Sequence, residues 1–236
     1  MGTTYFNLGG GDYFQDWSNA GLITTNDDWS RVANIAGYRG DDVTSATGAD
    51  PRNLTGDGTI TLDVNANQTN PNTFTTGGVT EFAIANPTIA LTGSGTADAP
   101  YIVLHLDATA RQNLHLDVDI RDLETADNAA QAFNIQYRVG ASGAWTNLPG
   151  SYIADATDAT NTLVTHLSLD LPAALNGQSQ IQLRFMTTNA SGNDEWIGVD
   201  NISVTSQPQQ GSAISINNVT ITEGDAGTTE IGRAHV

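Results

Sequence analysis

The chain has 236 residues, no cysteine and no lysine, and its 26 acidic residues against 8 basic ones give a formal net charge of -18. That balance argues against a nucleic-acid surface, because phosphate binding needs clustered cations, and the missing thiols exclude a disulfide framework or thiolate chemistry. The acidity suits a solvated secreted protein, a salty environment or the binding of divalent cations.

Glycine and turn formers are abundant, and β-branched residues outweigh helix-favouring runs, which is an all-β composition. No apolar run approaches the ~20 residues of a membrane span. The start, MGTTYFNLGGG, has neither the basic nor the apolar region of a signal peptide. The alternatives are a cytoplasmic chain and a piece cut from a longer secreted or cell-surface precursor, and the C-terminal segment makes the piece the expectation.

Residues 1–40 are rich in loops and aromatics, with Tyr5, Phe6, Tyr13, Phe14, Trp17, Trp29 and Tyr38 spread among Gly, Asn and Asp. Such rings either stack on sugars or fill a core. Burial is the commoner use and is the expectation here. Residues 38–51 form a polar loop holding Arg39-Gly40-Asp41, an integrin-type tripeptide too short to carry weight.

Alternation predicts strands over 59–64 and 79–85, with an Asn/Thr loop containing Pro71 between them. Residues 86–100 read as a turn-rich connection. A short strand follows over 101–106. The clearest alternation lies in 113–123, with Leu114, Leu116, Val118 and Ile120 on one face and His115, Asp117, Asp119 and Arg121 on the other. Residues 132–139 alternate again, with Phe133, Ile135, Tyr137 and Val139 inward, and a Gly-bearing turn leads to Trp145 in a hairpin. Strand 163–171 places His166 opposite its apolar face, and 172–177 suit one short helical turn.

The chain is organised around 180–206. There Ile181, Leu183 and Phe185 alternate with Gln182 and Arg184, a polar loop follows, and a second apolar run is broken by Asp200-Asn201. That break predicts a bulge, or a carboxylate aimed at a loop or an ion. About eight strands without an amphipathic helix mean a β-sandwich or jelly roll. The expected division is a sandwich over 1–206, a linker over 207–212, a truncated second sandwich over 213–229, and an unrelated tail over 230–236.

Three resemblances sharpen this. The segment DYFQDWSNAGLITTNDDWSRV and the phrases GYRGDD, NPNTFTTGGVTEFAIANPTIALTGSGTADAPYIV and NDEWIGVDNISV resemble the jelly-roll module of large secreted bacterial proteins. These include extracellular nucleases of the endonuclease/exonuclease/phosphatase class and adhesin-like surface proteins. The closing phrase is also similar to galactose-binding-like and MAM-like sandwiches. ISINNVTITEGDAGTT resembles the opening of a Calx-beta domain, of whose acidic residues only Glu223 and Asp225 are present. EIGRAHV is similar to translated sequencing-adapter DNA. The resemblance implies a non-catalytic module for adhesion or substrate targeting, monomeric within a longer chain, with a carbohydrate or cell-surface ligand as its partner. The alternative is a catalytic sandwich acting on polysaccharide, as lyase or glycosidase.

No nucleophile elbow, H-E-x-x-H or P-loop is present. His105, His115 and His166 read as strand histidines rather than zinc ligands. Acidic pairs such as Asp27-Asp28, Asp41-Asp42 and Asp194-Glu195 arise freely in so acidic a chain. Calcium, which takes six to eight oxygens, is the expected ligand, as a structural ion. Its candidate loops hold Asp122, Asp127 and Asn128, then Asn193, Asp194 and Asp200-Asn201, then Asp12 and Asp16. The jelly-roll resemblance makes Asp200 the first choice.

Overall fold

Period-two burial builds the longest strands. In residues 111–122 the side chains of Leu114, Leu116, Val118 and Ile120 are buried, while His115, Asp117, Asp119 and Arg121 face outward. The computed structural model describes residues 4–210. Within them the strands are β1 (Phe6–Asn7), β2 (Tyr13–Gln15), β3 (Ile35–Tyr38), β4 (Asn65–Gln68), β5 (Gly78–Phe82), β6 (Thr88–Thr92), β7 (Tyr101–Asp107), β8 (Arg111–Asp122), β9 (Phe133–Val139), β10 (Thr146–Asn147), β11 (Val164–Asp170), β12 (Ile181–Thr187) and β13 (Ile197–Pro208). Between them lie only single-turn 3-10 segments, one of them at Ala173–Leu175. No helix among the described residues is long and apolar enough to cross a membrane.

The strands form a two-sheet β-sandwich, as the composition predicts. The front sheet runs β1-β7-β12-β9-β10, with β3 also paired to β7. The back sheet runs β11-β8-β13-β6-β5-β4, with β2 also paired to β13. Ile102, Leu104, Leu106, Ile181, Leu183 and Phe185 from the front meet Leu116, Val118, Ile120, Val199, Ile202 and Val204 from the back in one core. Trp17 and Trp29 belong to it, and their indole N–H groups donate to Val199 O at 2.6 Å and Asp63 O at 3.0 Å. Burial is thus the use of Tyr13, Trp17 and Trp29, while Phe6 is half-buried and Phe14 is exposed. Tyr5 and Tyr38 remain half-buried.

The bulge expected at Asp200-Asn201 is present. The register of β13 on β8 shifts between Asp200 and Ser203, and Asn201 takes φ 49°. Other expectations need correction. Residues 59–64 form only an isolated bridge, Tyr38 with Leu62, and leave Ile60 and Leu62 exposed. The strand nearby is β4, which pairs in parallel with β5. Residues 86–100 contain β6, buried along its whole length. Val139 runs past the edge of the core and is exposed.

The outward residues of β9 and β12 are not solvated either. Asn134, Gln136, Gln182 and Arg184 are all buried. The stretch 39–58 crosses the outer face of the front sheet and builds a second small core there, with Leu54 and Val43 packed on Tyr101, Val103, Trp145 and Met186. Gln207 and Pro208 pair with Gln112 and Arg111, so β13 continues into the stretch whose composition reads as linker. The expected Calx-beta-like start and the adapter-like tail lie outside the described residues.

Candidate functional site on the front sheet

The outer face of the front sheet carries an unusual density of polar and aromatic groups. Arg184 projects from β12 and is fully buried. Its guanidinium donates to Leu54 O at 2.6 Å, Gly56 O at 2.7 Å and Gln136 Oε1, and it lies 4.5 Å from the Trp145 ring and 5.1 Å from that of Tyr101. Burial lowers its pKa to about 10. It stays charged, held by carbonyls and ring faces.

Arg138 of β9 also lies over the Trp145 ring, at 4.1 Å. It pairs with both carboxylate oxygens of Asp57, at 2.8 and 3.0 Å, and donates to Gln182 Oε1 at 2.7 Å. Asp57 also accepts the Trp145 indole N–H at 2.6 Å. Gln182 in turn donates to the Tyr5 hydroxyl at 3.1 Å. Side chains that would be mobile alone are therefore fixed by two or three partners each.

Above this frame lies a cavity of about 270 Å³, with Tyr101, Val103 and His105 of β7 as its floor. Tyr5, Tyr38 and Asp57 wall it. Tyr38 and Tyr101 sit 5.2 Å apart and tilted by 30°. Tyr5 meets His105 edge-on at 5.2 Å. Burial pulls the His105 pKa down to about 4, so the ring is neutral at physiological pH. A second cavity of about 680 Å³ adjoins the first through their shared lining residues Tyr38 and Ile60, and the exposed Leu62 lines it too. Together they make a groove with aromatic and apolar faces and a few oriented polar groups, the usual make-up of a small-molecule site.

The acidic residues expected around calcium are dispersed. Asp200 is buried, and its Oδ2 accepts from Arg121 at 2.7 Å and Asn86 at 3.2 Å. Burial raises its pKa, against the Asn201 amide and Arg121. The Arg121 guanidinium thus already offsets the charge of the Asp200 carboxylate. Asp12 is exposed. Asp16 accepts from Ser18, at 3.0 Å from its amide and 2.7 Å from its hydroxyl, which lowers its pKa. Asp194 closes its own loop on the Ala190 amide at 2.6 Å.

Two of the expected loops do meet. Asn193 donates to Asp127 at 2.6 Å, and the Trp196 amide donates to Glu124 at 2.9 Å, beside Asp122. No complete cluster of three His, Asp or Glu metal ligands is assembled among the described residues. Sequence reasoning passed over Asp57, Arg138, Gln182 and Glu124. Asp57, Arg138 and Gln182 meet one another, and Glu124 meets Trp196, only through pairings dozens of residues apart, which short motifs do not record.

No family model matches the chain, and no curated protein does. Several solved structures are similar in shape. A carbohydrate-binding module specific for non-crystalline cellulose is 11% identical over 54% of this chain and 79% of its own, with a TM-score of 0.38. The K3 cleaved adhesin domain of Lys-gingipain from Porphyromonas gingivalis is 12% identical over 82% of this chain and 98% of its own, at 0.43. A Stig cyclase from Fischerella sp. is 11% identical over 84% of this chain and all of its own, at 0.44. A sugar-binding module, an adhesin domain and a cyclase thus share the likeness, and function rests on the site itself.

Proposed function

We propose that this chain is a non-catalytic module of a secreted or surface protein that holds a neutral polysaccharide in the groove on the front sheet. The observation that carries the reading is the fixed frame of Arg138, Asp57, Gln182 and Trp145 beneath tyrosine rings that stay partly open. Sugar rings have apolar C–H faces that stack on aromatic rings, and hydroxyls that bond to planar polar groups. A frame fixed in advance reduces the ordering cost of binding.

Charge supports a neutral ligand. Arg138 is offset by Asp57 within the cavity, and the chain's net charge of -18 repels polyanions at long range. The Asp57 carboxylate is already shared by Arg138 and the Trp145 indole, which suits a positioning role better than proton transfer.

Affinity electrophoresis through gels containing neutral and acidic polysaccharides tests this. At least one neutral polymer retards the protein, and Tyr38→Ala weakens retention about tenfold, in line with a stacking contribution of about 1 kcal/mol plus lost contact area. Retardation only by acidic polymers, or an unchanged mobility for Tyr38→Ala, contradicts the proposal. Release of reducing ends or unsaturated sugars that is lost in Asp57→Asn would establish the catalytic alternative.

A further inference from the structure

At one end of the sandwich, away from the groove, Glu195 precedes β13 in the loop after β12. Its side chain is fully buried, and neither carboxylate oxygen has a hydrogen-bond partner. A buried carboxylate without partners is among the costliest groups in a fold. The backbone on either side of this carboxylate is fixed. The Glu195 amide is held by Gln131 Oε1 at 3.2 Å, and the next residue, Trp196, is locked between Phe74, 5.8 Å away and stacked, and Phe82, 5.0 Å away and edge-on.

The surroundings are acidic. Burial raises the pKa of Glu195, with like charge from Asp122 and Asp155 adding to it. Burial raises Glu124 to about 7, with Glu195, Asp127 and Asp122 as like-charged neighbours. No arginine figures among the groups that shift Asp122, Glu124 or Glu195. The neighbouring acids are otherwise satisfied. Asp155 Oδ1 accepts from Gln131 N at 3.2 Å and from the Thr157 amide and hydroxyl at 3.3 and 3.1 Å. Asp122 accepts from the amides of Glu124 at 3.2 Å and Asp158 at 2.7 Å. The loops are tied around these acids, and Glu195 alone is left aimed inward. The Thr157 side chain and the Ala129 amide lie close enough to pull its pKa down against burial, but neither meets the geometry of a hydrogen bond to it.

We propose that Glu195 is the central ligand of a structural calcium site between the loops 122–131, 155–158 and 190–195. A divalent ion supplies positive charge where, among the described residues, no arginine pairs with these carboxylates. All the donors are oxygens carried by loops, which selects calcium over zinc or copper. The described residues do not gather three carboxylates into a ready-made cluster. Main-chain carbonyls and the Thr157 hydroxyl therefore complete the shell beside Glu195 and Glu124, as calcium permits. This places the ion about Glu195, and Asp200 keeps its arginine.

Thermal melting of the full chain in calcium and in chelator, at matched ionic strength, tests the site. At calcium a hundredfold above its dissociation constant, Tm rises by about 5–10 °C. Glu195→Gln abolishes that rise and melts no lower than the wild type in chelator, since it removes a buried charge. Asp200→Asn keeps the calcium-dependent rise. Terbium luminescence excited through the adjacent Trp196 appears in the wild type and not in Glu195→Gln. Equal wild-type Tm values with and without calcium, or an undiminished rise in Glu195→Gln, overturns the proposal.

Discussion

Gln182 and Arg184 alternate with Ile181, Leu183 and Phe185, and on one strand they look like a solvated face. The structure buries both faces of β12. The inward half was legible because the hydrophobic period is local. The outward half was not, because what covers it arrives from residues 39–58, more than a hundred positions earlier. Arg184 gives this a measurable consequence. Lysine cannot reproduce a fork that reaches Leu54, Gly56 and Gln136 together. Arg184→Lys should destabilise the fold by about 2–3 kcal/mol in denaturant melts, and a loss below ~0.5 kcal/mol would show that the buried frame contributes little.

His105 offers a second residue-scale test. Its folded pKa of about 4 lies below its ordinary value of 6.5. The unfolded chain therefore binds the extra proton first as pH falls, and stability from this group is present above about 6.5 and lost as pH drops toward about 4. NMR titration should find the His105 ring neutral down to pH 5, with ligand retention flat from pH 6 to 8. A His105 midpoint near 6.5 would contradict the burial of the cavity floor.

At the scale of elements, the strands with strict alternation or dense apolar runs were readable, and β8, β12 and β13 stand where the pattern placed them. β4, with the sequence NANQ, was not, because its only buried residue is Ala66 and its pairing depends on β5. Residues 59–64 misled in the opposite direction. Their alternation is real, but Ile60 and Leu62 project toward the groove rather than the core.

The bulge in β13 was legible because an Asp-Asn pair interrupts an apolar run, and Asn tolerates the left-handed conformation it adopts there at φ 49°. Asn201→Gly should be nearly neutral and Asn201→Val should cost about 1–2 kcal/mol. Equal stability of the two variants would mean that the bulge is not fixed by backbone conformation. Gly40 holds the covering segment in the same way. Its φ is 68°, and a Cβ there would collide with the Ala99 carbonyl. Gly40→Ala should therefore loosen 39–58, weakening ligand retention more than it lowers Tm.

On the scale of the whole molecule, the two sheets divide the work. The back sheet closes the core and carries a solvated face on β8 and β11 with histidines and aspartates paired to each other, such as His166 with Asp119 at 2.7 Å. On the front sheet Val43 and Leu54 pack onto Tyr101, Val103, Trp145 and Met186, and the groove lies beside them, lined also by Tyr5, Tyr38 and His105. That groove is the proposed ligand site. The most direct measurement is an isotope-resolved NMR titration with an oligosaccharide of whichever neutral polysaccharide retards the protein. The result predicted is a perturbation of the Trp145 indole, the Arg138 side chain and the amides around Tyr38 and Tyr101. Perturbations confined to the outer face of the back sheet, around His115 and His166, would contradict it.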